Sequence, residues 1–85
     1  MAERSATVNL KSGLQARQAA LFVQEANKFS SEVYLEKEGK SVNAKSIMGV
    51  MSLVIPHGAS ITLRAKGTDE DQVVERLVAM VAKEE

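Results

Sequence analysis

The run Ile61-Thr62-Leu63-Arg64-Ala65-Lys66, closed by Gly67, constrains this chain more than any other segment. Ile61, Leu63 and Ala65 alternate with Thr62, Arg64 and Lys66, and successive side chains of a strand point to opposite faces. One face of the resulting sheet must be buried and the other solvated, an arrangement antiparallel sheets permit. Something else in the 85 residues has to cover the apolar face. There is no cysteine, so packing alone holds that cover in place; disulfides, thiolate chemistry and sulfur-rich zinc sites are removed together.

The cover is legible where the hydrophobic period changes. Ala16, Ala19, Ala20, Val23, Ala26 and Asn27 fall on one helical face, with Arg17, Gln18, Gln24, Glu25 and Lys28 facing water. Val74, Leu77, Val78 and Val81 form the buried stripe of a terminal helix, and Thr68 with Asp71 approximates a capping box at its start. Strand spacing occurs at Ala6, Val8 and Leu10, broken by Gly13, and again at Val33 and Leu35. A Glu38-Gly39 turn leads into a short strand through Val42, which makes a hairpin.

Ile47 to Leu53 reads as a short helix with Ser46 as N-cap. Val50, Leu53 and Val54 are spaced to pack on the sheet, leaving Ile47, Met48 and Met51 as a second, exposed stripe; the alternative is that the whole piece is core. Pro56-His57-Gly58 is a turn with a solvated histidine. The order β-α-β-β-α-β-α predicts an α+β, two-layer open-faced sandwich. Its sheet has four mainly antiparallel strands, its three helices lie on one face, and residues 1–85 form one domain.

Several function classes fall away. Lys plus Arg number 11 and so do Asp plus Glu, so there is no basic excess for direct nucleic-acid binding. The longest apolar stretch, Leu77 to Ala82, is far short of the ~18 residues of a membrane span. No signal peptide is visible, which makes the cytoplasm the default. His57 is the single histidine, no spacing suggests a metal site, and no cofactor is implied. A chain this small is poorly suited to a deep catalytic cavity, and no catalytic constellation is visible, so a binding module is expected rather than an enzyme.

Ser46 is either a plain helix cap or a modification site. A phosphate there would face free amides and bring about −1.5 to −2 charges beside an apolar patch, with Lys45 adding local positive charge. Gly13 permits a tight turn, and Arg17, in the first turn of its helix, opposes the dipole, so its charge serves either solvent or a partner. An edge strand at Thr7 to Leu10 followed by a Gly13 hinge could exchange between two copies; monomer and swapped homodimer both stay open.

Two motifs, Gly13-Leu14-Gln15-Ala16-Arg17 and Asn43-Ala44-Lys45-Ser46-Ile47-Met48-Gly49-Val50-Met51, resemble the HPr family of the sugar phosphotransferase system. The likeness continues through Ala19 to Asn27 and Leu35 to Lys37 and implies the open-faced sandwich already read from periodicity. The family's phosphocarriers have histidine where Gln15 stands and proline where Gln18 stands. An imidazole nitrogen can accept a phosphoryl group, whereas the amide nitrogen of glutamine delocalises its lone pair. The resemblance therefore implies the family's repression branch. There, HPr kinase/phosphorylase modifies the serine matching Ser46, and the product acts as corepressor of the LacI-type regulator catabolite control protein A. Carried over, Ile47, Met48 and Met51 are apolar contacts, Arg17 is a polar neighbour, and Gln15 joins them. A working phosphocarrier and an acylphosphatase-like hydrolase are the rival readings.

Overall fold

The computed structural model describes residues 1–84. Its elements are β1 (Ala2–Thr7), α1 (Ala16–Ala26), β2 (Glu32–Lys37), β3 (Lys40–Asn43), α2 (Ile47–Ser52), β4 (Ser60–Lys66) and α3 (Glu70–Ala82), the order expected from the sequence. The strands form one sheet in the order β1-β4-β2-β3. All three pairings are antiparallel, with Leu63 aligned to Arg4 on one side and to Leu35 on the other.

Alternation in β4 does what its pattern requires. Ile61, Leu63 and Ala65 are buried, while Thr62 and Arg64 are half-exposed and Lys66 is exposed. On the open face Arg64 bridges Glu3 of β1 and Glu36 of β2, and Ser5 pairs with Thr62. Glu38 and Gly39 both have positive φ, the geometry of a two-residue hairpin whose twist matches the flanking strands. Among the described residues no helix is long and apolar enough to cross a membrane.

The structure departs from the sequence reading at the ends of elements. β1 begins at Ala2 and stops at Thr7, earlier than the Thr7–Leu10 edge strand expected, although it is an edge. Val8 and Leu10 are nevertheless buried, because the backbone runs on extended and bonds across to the β4 turn and to α3: Val8 N to Ala59 O, Gly58 N to Val8 O and Asn9 N to Val81 O. In α1 the buried face is Ala19, Phe22 and Ala26; Ala16 and Asn27, placed inward by the spacing, are exposed. Phe22, outside the apolar face that the spacing predicts, is the largest fully buried side chain.

The cap of α3 also differs. Asp69, not Thr68, occupies the N-cap position. Its carboxylate turns away from the helix amides to accept from Ser30 N at 2.9 Å, Ser31 N at 3.0 Å and the Ser31 hydroxyl. Glu70 Oε1 accepts from Gly67 N at 3.1 Å, so the reach-back expected of Asp71 comes one residue earlier and from the longer side chain. Val73 joins the buried stripe, while Val78 is only half-buried.

Candidate functional site

Ser46 lies at the start of α2 with extended backbone, and its Oγ accepts from Gly49 N at 3.1 Å. The residue is half-buried, with its hydroxyl at the helix edge. Behind it, Val50 and Leu53 enter the core and α2 packs against α1 and β3. In front, Ile47 is 37 % exposed, Met48 77 % and Met51 46 %. The exposed stripe expected from the spacing is therefore present.

Val54 departs from its spacing: the sequence pattern predicts packing on the sheet with Val50 and Leu53, whereas the side chain is 63 % exposed. The helix stops at Ser52 with Leu53 as C-cap, so Val54 falls at the next position, with φ of 48° and its amide bonded to Met51 O. That position usually takes glycine in a left-handed conformation, and a β-branched residue there is strained. Helical spacing cannot be extended past the cap, so the side chain swings outward instead of inward.

Strain recurs across the gap. Ala16, at the first position of α1, has φ of 49°. Gln15, Ala16, Met51 and Val54 together line an open cleft of about 270 Å³. The two segments are stitched together beneath it by Leu14 N donating to Ile55 O at 2.9 Å. Strained backbone persists only where surrounding structure over-determines it, and it concentrates at ligand clamps and switch regions. Ala16 and Val54 were missed as surface residues because each completes an apolar spacing pattern in the sequence; no local signal marks either for positive φ.

Of the remaining residues singled out by sequence, Gln15 and Arg17 are exposed, and Gln15 makes no side-chain cap to α1. The Lys45 ammonium does not turn to Ser46 in this state but donates to Phe29 O at 2.7 Å. Asn43 Oδ1 accepts from Lys45 N at 2.8 Å, and Asn27 Nδ2 donates to Lys45 O at 3.2 Å, fixing the approach to the cap. His57 is exposed as expected, but its Nδ1 stands 3.1 Å from Leu10 O, so the ring is tethered to the segment after β1. Among the described residues no group of three or more His, Cys, Asp or Glu side chains is placed to hold a metal ion.

Fold and surface together define a class of protein: an open-faced β-sandwich in which the loop before α1 and the short helix α2 meet to form one exposed, partly apolar end. The chain belongs to the HPr family of the sugar phosphotransferase system, since the family model described as the PTS HPr component phosphorylation site matches residues 2–83. It is 60% identical over 84 residues to the HPr-like protein Crh of Halalkalibacterium halodurans, covering 99% of this chain and 100% of that protein. The phosphocarrier protein HPr from Bacillus anthracis is 54% identical and superposes with a TM-score of 0.93 over 94% of this chain and 95% of its own. Crh of Bacillus subtilis, whose crystal structure is described as a dimer with a swapping domain, is 58% identical, with a TM-score of 0.78 over 99% of this chain and 97% of its own.

Proposed function

We propose that this chain is a phosphorylation-gated corepressor of carbon catabolite repression, without catalytic activity of its own. HPr kinase/phosphorylase phosphorylates Ser46, and the modified protein binds catabolite control protein A, which in turn contacts DNA. Ile47, Met48 and Met51 supply the apolar contact, with Arg17 and Gln15 at its margin. Residues 1–85 act as one domain in the cytoplasm. The observation that carries the reading is the Ser46 hydroxyl at the cap of α2 beside the exposed Ile47, Met48 and Met51. The relatives named Crh support it.

Gln15 supports the loss of phosphocarrier activity, because its amide nitrogen is not a nucleophile comparable to imidazole. His57 lies in a different loop, tethered to Leu10 O. A homodimer formed by exchange of the N-terminal edge segment through Thr7 to Leu10, hinged at Gly13, belongs to the same reading, with the monomer as its alternative; the swapped dimer of the Bacillus subtilis relative supports the exchange. Light scattering across a concentration series reads the monomer–dimer balance.

Mass spectrometry after incubation with HPr kinase/phosphorylase and ATP, followed by titration against catabolite control protein A, tests the main claim. One phosphate on Ser46 and tighter binding of the phosphorylated form are expected, and Ser46→Ala should abolish both. A phosphate elsewhere, or equal binding by phosphorylated wild type and Ser46→Ala, would refute it. A phosphohistidine at His57 after incubation with phosphoenolpyruvate and the system's first enzyme would restore the phosphocarrier reading.

A further inference from the structure

Gly49 sits in the middle of α2, where glycine is the least favourable residue after proline. Its φ is not in the left-handed region, so the backbone does not call for glycine. A Cβ built on Gly49 would stand 3.5 Å from Ser46 Oγ, 3.5 Å from Ser46 Cβ and 3.3 Å from Asn43 O. The first two are ordinary contacts, and the third asks Asn43 to give slightly. The resting fold accepts a methyl group here provided that Asn43 O, which also accepts from Ser46 N at 3.1 Å, gives by a few tenths of an ångström. What that methyl group would fill is the space beside the Ser46 hydroxyl, against which the Gly49 amide already lies.

We infer that the missing side chain at Gly49 is a specificity determinant for phosphorylation of Ser46, keeping open the approach by which a phosphoryl group reaches Oγ. The inference rests on the proposed phosphorylation of that residue. In the transfer, a bond forms between Ser46 Oγ and the terminal phosphorus of a nucleoside triphosphate while the bond from that phosphorus to its bridging oxygen breaks. The hydroxyl proton passes to a base of the kinase, and the nucleoside diphosphate leaves. Attacking and leaving oxygens must lie roughly in line, and the arriving group carries three oxygens of its own. A Cβ at 3.5 Å is an ordinary contact for the resting hydroxyl, yet it takes up space that the arriving group needs, while the exposed side chains of Ile47, Met48 and Met51 keep their identity.

Gly49→Ala and Gly49→Ser carry the same added Cβ and are assayed as full chains with HPr kinase/phosphorylase and ATP, alongside thermal melts by circular dichroism. Both variants are expected to fold, with kcat for phosphorylation lowered about tenfold or more and KM little changed, as a small misplacement at a reacting centre does. Folded variants phosphorylated at the wild-type rate would overturn the inference, and so would unfolding of both. If the wild-type protein itself took up no phosphate on Ser46, the proposed function would fall together with it; uptake by wild type separates the two failures.

Discussion

Replacing Gly13 by alanine should destabilise this domain more than the same change at Gly39, and the difference isolates a single close approach. Both glycines have positive φ, 71° and 80°, so each substitution costs about 1–2 kcal/mol for forcing an L-residue into the left-handed region. At Gly39 nothing lies within 4 Å of the added Cβ, and the cost ends there. At Gly13 the Cβ would press into the carbonyl oxygen of Ile55, 2.8 Å from Pro56 Cα and 2.9 Å from the Pro56 carbonyl carbon. All three are backbone atoms that cannot rotate away. Relief requires the 10–14 segment to lift off, which breaks Leu14 N to Ile55 O between two fully buried residues.

Leaving such a buried pair unsatisfied adds about 1–3 kcal/mol. Gly13→Ala should therefore cost about 2–5 kcal/mol, a large part of the ~4–13 kcal/mol available to 85 residues. Urea unfolding followed by circular dichroism measures both variants, with the midpoint moving and the slope unchanged. Equal destabilisation of Gly13→Ala and Gly39→Ala would refute the reasoning, because the Ile55 carbonyl would then contribute nothing.

Phe22→Ala should cost about 3–5 kcal/mol, since its ring is fully buried, while Leu21→Ala, exposed on the same helix, should stay within about 0.5 kcal/mol; urea midpoints compare them. Ser46→Ala should lower stability by about 1 kcal/mol through loss of the bond from Gly49 N, in addition to abolishing kinase modification, whereas Met48→Ala should leave the melt unchanged and weaken binding to the regulator. The Ser31 hydroxyl, together with the Ser30 and Ser31 amides, lowers the Asp69 pKa from 3.8 to about 2. A depressed carboxylate stabilises the fold fully above its unfolded pKa and ceases to do so as pH falls through the folded one, so the loss runs from about pH 4 down to pH 2. Acid titration of Asp69→Asn should be flatter over that window than wild type, and a parallel pair of curves would show that Asp69 does not carry it.

Much of the candidate site could be read in advance because it obeys local rules. A cap residue followed by an amphipathic turn depends on atoms within a few positions, and Ser46, Ile47, Met48 and Met51 lie where that pattern puts them. The other half of the surface could not be read this way. Ala16 and Val54 look like members of apolar stripes, and only the Leu14 to Ile55 bond, joining segments far apart in the chain, brings their two loops together around one cleft. Gly49 stands out in the sequence only as an unfavourable residue inside a short helix; that a side chain there would meet Ser46 Oγ appears only in the folded chain.

Element order, the buried face of β4 and the hairpin at Glu38-Gly39 were already written in the residue pattern, because hydrophobic period and turn chemistry act over neighbouring residues. Long-range packing set the extent of β1, whose largely exposed edge carries only a weak alternation, and it buried Phe22 completely. It also chose Asp69 over Thr68 at the head of α3. Ser30 and Ser31, nearly forty residues earlier, present two amides and a hydroxyl that only the folded chain can bring to that carboxylate.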